Sequence, residues 1–294
     1  MNRYIRDVTR EHLAARKIIR FIRYNIRDIY KDSIIYGLDK SNENLQVSFD
    51  LKHIDFKLDK DNMSKMDLIL ISIPVDDTVQ ILPDILNKIG KETLIMDVGS
   101  TKNSICECVS KHSNRNQFLA MHPISGTENS GPLSSKKGLY YGITNILCEV
   151  EKTDQYFLDK AMKIFNDFKM KIIYMDPSSH DEHISYVSHL SHITSFILAK
   201  TVIEKEKNEK NIFDLAGSGF ESTVRLAKSS PQMWTPIFLQ NKINIIEALD
   251  NYIKNLNELK FKIESNQKDS IIKDLNSINR IKKILGGINN KNGK

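Results

Sequence analysis

The pattern of hydrophobic and polar residues divides the chain into two parts with different periods. In the first part, amphipathic stretches alternate with apolar runs typical of buried strands, at residues 33–38, 67–75, 93–98 and 118–121. Such nearly continuous runs suit parallel strands that are covered on both faces. The alternation therefore predicts a parallel sheet with helices on both faces, extended by strands within residues 140–150 and 171–176.

The period becomes helical after Pro177. We predict long helices over residues 180–205 and 231–261, and a last helical stripe over residues 271–285. The fold class is thus α/β, followed by an all-helical part. We predict two domains, residues 1–176 and 177–294.

The start of the chain does not fit a strand pattern. Residues 3–31 carry apolar positions at near-helical spacing with arginines between them, which predicts a basic helix. No convincing apolar strand occurs in the first twenty residues, and no glycine precedes Gly37.

The composition fits a soluble globular protein, since 40% of the 294 residues are apolar and 27% are charged. The sequence has no run of 18 apolar residues and no apolar signal segment, so we expect no membrane association. Three cysteines form neither a disulfide framework nor a metal motif, which favours a cytoplasmic location. The net charge of +6 lacks an aromatic-interleaved basic stripe, so we expect no nucleic acid and consider a small anionic substrate instead.

One histidine stands out because it follows the apolar run at residues 118–121. In open α/β sheets, ligands bind beyond the carboxyl ends of the strands, and a histidine there can exchange a proton near neutral pH. His122 is therefore a candidate acid or base. The alternative is a structural histidine that caps the turn formed by Pro123 and Gly126.

Four more histidines are concentrated in the first long helix, at residues 180, 183, 189 and 192. Zinc requires three or four convergent ligands. The first two histidines are separated from the other pair along the helix, and no nearby cysteine or glutamate completes a set, so we expect no metal. His189 and His192 are three residues apart and share one helix face.

Several motifs occur together over about residues 34–260. They are DVGSTK at residues 97–102, MHPISGTE at 121–128, HD at 180–181, SHLSH at 188–192, GF at 219–220 with Thr223 and Arg225, and PQMW at 231–234. In this order and spacing, they resemble the motifs of the prephenate dehydrogenase family.

The resemblance implies a Rossmann-like nucleotide-binding domain followed by a helical dimerisation domain, and therefore a homodimer. It implies the NAD-dependent oxidative decarboxylation of prephenate to 4-hydroxyphenylpyruvate in tyrosine biosynthesis, with arogenate as an alternative substrate. His122, held by Ser100, would be the catalytic base. The residues implied in substrate binding are Arg225, Ser188, His189, His192, Glu128, Gly219 and Trp234. Taken singly, Arg225 would be a surface arginine and the histidine pair a polar helix stripe.

The implied cofactor is NAD, with Asp39, Ser72, Ile73, Pro74 and Gly99 as its expected binding residues. An acidic residue after the second strand of such a domain accepts the ribose hydroxyls of NAD, although an aspartate there can also cap a turn.

The glycine-rich phosphate loop G-x-G-x-x-G is absent from the sequence before residue 34. We therefore expect the first strand and the phosphate loop to be missing or replaced. Three explanations stay open: a true start that lies upstream or in another frame, weak NAD binding, or a non-catalytic dimeric homologue.

Overall fold

The computed structural model describes residues 4–8, 29–124, 141–207 and 211–283, with the backbone alone at residues 4–8 and 60–61. The described residues form an eight-stranded sheet in the order β3-β2-β1-β4-β5-β6-β7-β8. The strands are β1 (Tyr4–Val8), β2 (Ile34–Leu38), β3 (Phe56–Lys57), β4 (Leu68–Ile71), β5 (Leu94–Asp97), β6 (Phe118–Ile124), β7 (Thr144–Cys148) and β8 (Lys171–Met175). Neighbouring strands are parallel except β6 and β7, so β7 and β8 run opposite to the other six.

The first strand, β1, is present, so the prediction that it is missing and that a helix replaces it is wrong. Its backbone pairs with β2 on one side and with β4 on the other, which makes it an inner strand of the sheet. The sequence YIRDV did not indicate a strand, because it contains two charged residues and inner parallel strands are usually continuous apolar runs. The rest of the predicted helix and the phosphate-loop region, residues 9–28, lie outside the described residues.

Helices connect the strands and then form the second half of the chain, as predicted. The helices are α1 (Asn42–Asp50), α2 (Val75–Leu86), α3 (Asn103–Cys108), α4 (Gln155–Asp167), α5 (Pro177–Ile184), α6 (Leu190–Glu206), α7 (Ser218–Val224), α8 (Pro231–Gln240), α9 (Lys242–Glu264) and α10 (Lys268–Ile278). The fold class is therefore a Rossmann-like sheet followed by helices.

Both predicted long helices are interrupted. The first is divided by a π-helical segment, Ser185–His189, in which the N–H of Leu190 donates to the carbonyl of Ser185 five residues earlier. The second is divided at Asn241, which lies between α8 and α9. Periodicity alone did not reveal either interruption, because the apolar spacing continues on both sides.

Two hydrophobic cores lie on the opposite faces of the sheet, and the central strands contribute to both by alternation. In β4, Leu68 and Leu70 face one core, whereas Ile69 and Ile71 face the other. The first core is completed by α1 and α4, and the second by α2, α3 and α8. Helices on both faces explain why these strands are apolar throughout.

The chain divides into two compact units, Met1–Lys242 and Ile243–Lys294. In the second unit, the Lys262 ammonium pairs with the Asp274 carboxylate and so joins α9 to α10. Several apolar side chains of this unit are exposed, including Ile253, Leu256, Phe261, Leu275 and Ile278. The predicted domain boundary between residues 176 and 177 stays a prediction. Within the described part of the chain, no helix combines the length and the apolar character needed to cross a bilayer.

The position of β1 can be tested with proline. Every residue of an inner strand directs its N–H to one neighbouring strand or the other, so Arg6→Pro removes a hydrogen bond from the centre of the sheet. We expect a loss of about 3 kcal/mol or more in the free energy of unfolding, measured by urea denaturation. Arg6→Lys, which keeps the N–H and the charge, is the control; equal stability of both variants would contradict the inner position of β1.

Candidate active site

The candidate site lies at the carboxyl edge of the parallel strands, near the point between β1 and β4 where the strand order changes direction. Ligands bind at this point in open α/β sheets. Residues 72–74 follow β4, and residues 99–100 follow β5. His122 lies inside β6, because pairing with the antiparallel strand β7 extends β6 to Ile124 and places His122 opposite Ile146.

The turn after β5 leaves little space beside Gly99. The Gly99 N–H donates to the Asp97 carboxylate at 2.8 Å, and a Cβ on Gly99 would lie only 2.8 Å from the Cδ1 atom of Ile105. Ser72, Ile73 and Pro74 are buried immediately before α2. These residues line the edge where a nucleotide was predicted, and their contact with it stays a prediction.

Asp39 directly follows β2 and is buried. Its Oδ1 atom accepts the N–H of Ser41 at 2.8 Å, and Ser41 is the N-cap residue of α1. Asp39 therefore has the turn-capping contact that was considered as the alternative. Its predicted contact with the ribose of NAD is compatible with this position and stays a prediction.

A buried lysine connects two strands beneath the site. The Lys102 ammonium pairs with the Asp97 carboxylate, and both side chains are completely buried. The same ammonium donates to the carbonyl of Met121 at 2.8 Å, so it joins the end of β5 to the residue before His122. Burial raises the pKa of Asp97, an effect opposed by the charge of Lys102.

His122 belongs to a chain of hydrogen bonds that leads into α5. Its Nδ1 atom lies 2.9 Å from Nε2 of His180, and Nδ1 of His180 lies 2.7 Å from Oδ1 of Asp181. Asp181 also accepts the backbone N–H groups of Lys102 at 2.8 Å and of Asn103 at 3.0 Å. The loop after β5 and the start of α3 are thereby fixed to one carboxylate of α5.

The environment of His122 disfavours its charged form. Its pKa is lowered well below the ordinary value of 6.5, chiefly because burial disfavours the imidazolium. The nearby His180, Lys102 and His189 lower the pKa further. A neutral imidazole can take up a proton, so the geometry and the charges are compatible with a general base.

Trp234 brings the two helix histidines together. The ring of His192 stacks on Trp234 with 3.5 Å between centroids, and His189 approaches the same indole edge-on at 5.9 Å. Burial lowers the pKa of His189 to about 4. Among the described residues, no group of three His, Cys, Asp or Glu side chains is arranged to hold a metal ion.

Two buried N–H donors of this cluster have no hydrogen-bond partner among the described residues. They are Nε2 of His189 and Nε1 of Trp234. The His189 proton is on Nε2 because Asn241 Nδ2 donates to Nδ1 at 3.1 Å, and the amide orientation is fixed by its 2.6 Å bond to the carbonyl of Asp181. Buried donors without partners are rare, so these two N–H groups are available to an acceptor such as a ligand oxygen or a water.

The other predicted site residues differ in their exposure and in their contacts with the histidines around Trp234. Arg225 is exposed but lies near enough to His192 to lower the pKa of that histidine, after the larger effect of burial. The carbonyl of Ser188 accepts the Nδ1–H of His192 at 3.0 Å. Gly219 is exposed in α7, and a Cβ at this position would have no described atom within 4 Å beyond its own neighbours in the chain. Glu128 lies outside the described residues.

The predicted bond between Ser100 and His122 is absent from the described residues, where His180 bonds the His122 ring instead. Sequence reasoning assigned no role to Lys102, His180, Asp181 or Asn241. A signal was available for the first three, since they belong to the DVGSTK and HD motifs. Asn241 had no signal, because it lies inside an apparently continuous helical pattern.

The sequence matches two family descriptions over most of its length. Residues 23–174 match "Prephenate dehydrogenase, nucleotide-binding domain", and residues 176–277 match "Prephenate dehydrogenase, dimerization domain". The chain belongs to the prephenate dehydrogenase family.

Individual members of the prephenate dehydrogenase family show the extent of the similarity. The chain is 28% identical to prephenate dehydrogenase of Bacillus subtilis over 81% of its own length and 66% of that protein. It is 26% identical to the Lactococcus lactis enzyme over 70% of its own length and 57% of that protein. The chain thus spans less than two thirds of these two relatives.

A solved structure of the family covers almost the whole chain. It is prephenate dehydrogenase from Aquifex aeolicus in complex with hydroxyphenyl propionate and NAD+, with a TM-score of 0.81, 29% identity and coverage of 97% of this chain and 98% of that one. The family and fold inferred from the motifs are thereby confirmed, whereas the roles of individual residues stay predictions.

The state of His122 can be measured without substrate. We expect its ring to titrate well below pH 6.5, because the buried neutral form is favoured. An NMR titration of the histidine ring signals, assigned by their loss in His122→Gln, provides the measurement. A midpoint at or above 6.5 would show that the ring is solvated and would remove the argument for a neutral base.

The buried ion pair can be tested by its removal in two steps. Lys102→Met leaves the Asp97 carboxylate buried without its counter-charge and should cost about 3–5 kcal/mol of unfolding free energy. The double variant Asp97→Asn/Lys102→Met removes both charges and keeps an acceptor for the Gly99 N–H, so it should regain most of this loss. Urea denaturation measures both, with the exposed Lys111→Met as control; additive losses would exclude the coupling.

Proposed function

We propose that this protein catalyses the NAD-dependent oxidative decarboxylation of prephenate to 4-hydroxyphenylpyruvate. The observation that carries the proposal is His122, hydrogen-bonded to His180 and near the unpartnered buried donor of His189, at the carboxyl edge of a sheet that belongs to this family. The related Aquifex aeolicus structure holds a phenol with a carboxylate side chain, together with NAD+. A carboxylate-bearing hydroxyphenyl ligand has the same chemical character as the proposed product.

The proton chemistry is assigned to His122. Prephenate carries a hydroxyl on the ring carbon that loses hydride, and His122 takes the hydroxyl proton as the carbonyl character develops. Loss of the ring carboxylate as carbon dioxide then makes the ring aromatic. The proton held by His122 returns to the same oxygen and completes the phenol. The protein mainly positions these groups, because aromatisation drives the loss of carbon dioxide.

Substrate binding is assigned to the cluster around Trp234. The buried N–H groups of His189 and Trp234 offer two donors to an anionic or carbonyl oxygen, and each lacks a partner among the described residues. Arg225 adds a cation near His192 and can bind a carboxylate through two parallel hydrogen bonds. Ser188, Gly219 and Glu128 keep their proposed places beside the substrate, and Ser100 stays a proposed catalytic residue.

The residues at the sheet edge fit a dinucleotide. The buried turn residues after β4 and β5 and the carboxylate of Asp39 after β2 surround the point where the strand order changes. Asp39, Ser72, Ile73, Pro74 and Gly99 would hold the cofactor, and Asp39 favours NAD over NADP because a 2′-phosphate would meet its negative charge. NAD, when bound, supplies the hydride acceptor.

We further propose a cytoplasmic homodimer. The match of residues 176–277 to a dimerization domain supports the dimer. The exposed apolar side chains of α9 and α10 support it as well, because a second copy would remove them from water. The cytoplasmic location is supported by three free cysteines, of which Cys106 and Cys148 are buried.

The first test is an assay of NADH formation at 340 nm with purified protein, prephenate and NAD. We expect turnover, and lower turnover when NADP replaces NAD. A parallel assay with arogenate decides between the two substrates. A folded dimer without turnover on either substrate would favour the non-catalytic homologue.

Two variants separate chemistry from binding. His122→Asn should lower kcat by about 10²- to 10⁴-fold with little change in KM, because it removes the base. Arg225→Ala should mainly raise KM, by about 10- to 100-fold, because a charge-assisted hydrogen bond to a carboxylate is lost. The steady-state constants of both variants are compared with those of Lys111→Met, and unchanged values in both would refute the assignment.

A further inference from the structure

We propose that His180 and Asp181 are positioning residues that fix the tautomer of His122, so that Nε2 of His122 is the atom that accepts the substrate proton. This inference rests on the proposed function for its kinetic consequence, but its structural part concerns the free protein. It replaces Ser100, which the motif had suggested as the residue that holds His122.

The chain of hydrogen bonds begins at Asp181. Its Oδ1 atom accepts the N–H of Lys102 at 2.8 Å and its Oδ2 atom accepts the N–H of Asn103 at 3.0 Å. Because both oxygens face backbone donors, the carboxylate is an acceptor on each side. His180 Nδ1, 2.7 Å from Oδ1, must therefore carry a hydrogen and donate it.

The proton on His180 Nδ1 determines which atom of His122 carries a hydrogen. In the neutral form of His180 the single N–H is on Nδ1, so Nε2 has a lone pair and is an acceptor. His122 Nδ1, 2.9 Å away, must then be the donor. Nε2 of neutral His122 is left with a lone pair, as a general base requires.

The surrounding charged groups leave this assignment unchanged. Lys102, on the loop after β5, is bonded to Asp97 and to the carbonyl of Met121. His189, on the π-helical segment, accepts from Asn241 at its Nδ1 atom. Within the part of the chain that the structure describes, His180 is thus the side chain that bonds the His122 ring.

The arrangement also has an electrostatic consequence. When His122 takes up a proton, the imidazolium keeps its Nδ1–H bond to His180, and His180 is bonded in turn to the Asp181 carboxylate. Negative charge is thereby placed behind the ring that becomes positive, without a direct contact. His180 is 1% exposed, so both of its ring nitrogens are shielded from solvent.

Two substitutions at position 180 distinguish positioning from simple packing. His180→Phe keeps a planar ring but offers His122 no acceptor. His180→Gln places an amide near the position of Nε2, where its oxygen can accept from His122. The matched control is His183→Phe, on the same helix but exposed.

We expect ¹⁵N NMR of the free wild-type protein to show the Nδ1–H tautomer of His122, and His180→Gln to retain it. His180→Phe should shift His122 toward the Nε2–H tautomer and lower kcat by about 10- to 100-fold, with KM nearly unchanged. His180→Gln should lose clearly less activity, and His183→Phe none.

An Nε2–H tautomer in the wild-type protein would overturn the inference, as would a His180→Phe variant with unchanged tautomer and kcat. If His180→Phe does not fold, the inference is still tested by the tautomer of His122 in the wild-type protein and by the tautomer and activity that His180→Gln retains. If only the proposed function is wrong, the protein will show the expected Nδ1–H tautomer of His122 but will not turn over prephenate or arogenate.

Discussion

The arrangement of the site depends on the buried ammonium group of Lys102. It lies between the Asp97 carboxylate at the end of β5 and the Met121 carbonyl in β6, and both contacts are inaccessible to water. Breaking such a pair leaves an uncompensated buried charge, so the two strand ends are held at a fixed separation. Because His122 directly follows Met121, its backbone position is set by this one cation.

Lys102 affects the charges of the site as well as its geometry. The positive charge of Lys102 disfavours a second positive charge on His122, whereas its backbone N–H fixes the Asp181 carboxylate that lies behind His180. One residue thus acts through its side chain on one end of the histidine pair and through its backbone on the other. The site gains an uncharged ring and a nearby negative group without bringing them into contact.

The sequence was most informative where physical periodicity is strong. The apolar runs at residues 67–75 and 93–98 located the sheet, and the motifs around His122 and His189 supplied candidate residues whose roles stay predictions. Prediction was wrong for β1, where Arg6 and Asp7 interrupt the apolar pattern, since backbone pairing with two neighbours is not encoded locally. The partner of His122 was missed for a similar reason: His180 is 58 residues away, and only the fold brings the two rings together.

The π-helical segment Ser185–His189 has a consequence for how this sequence can vary. It adds a residue to one helical turn, so the two histidines before it, His180 and His183, and the histidine after it, His192, are set in different rotational registers. Deleting one residue here would rotate everything downstream by about 100° relative to α5. Length changes in this short segment are therefore far less tolerable than substitutions, and homologues that keep both histidine positions should also keep its length.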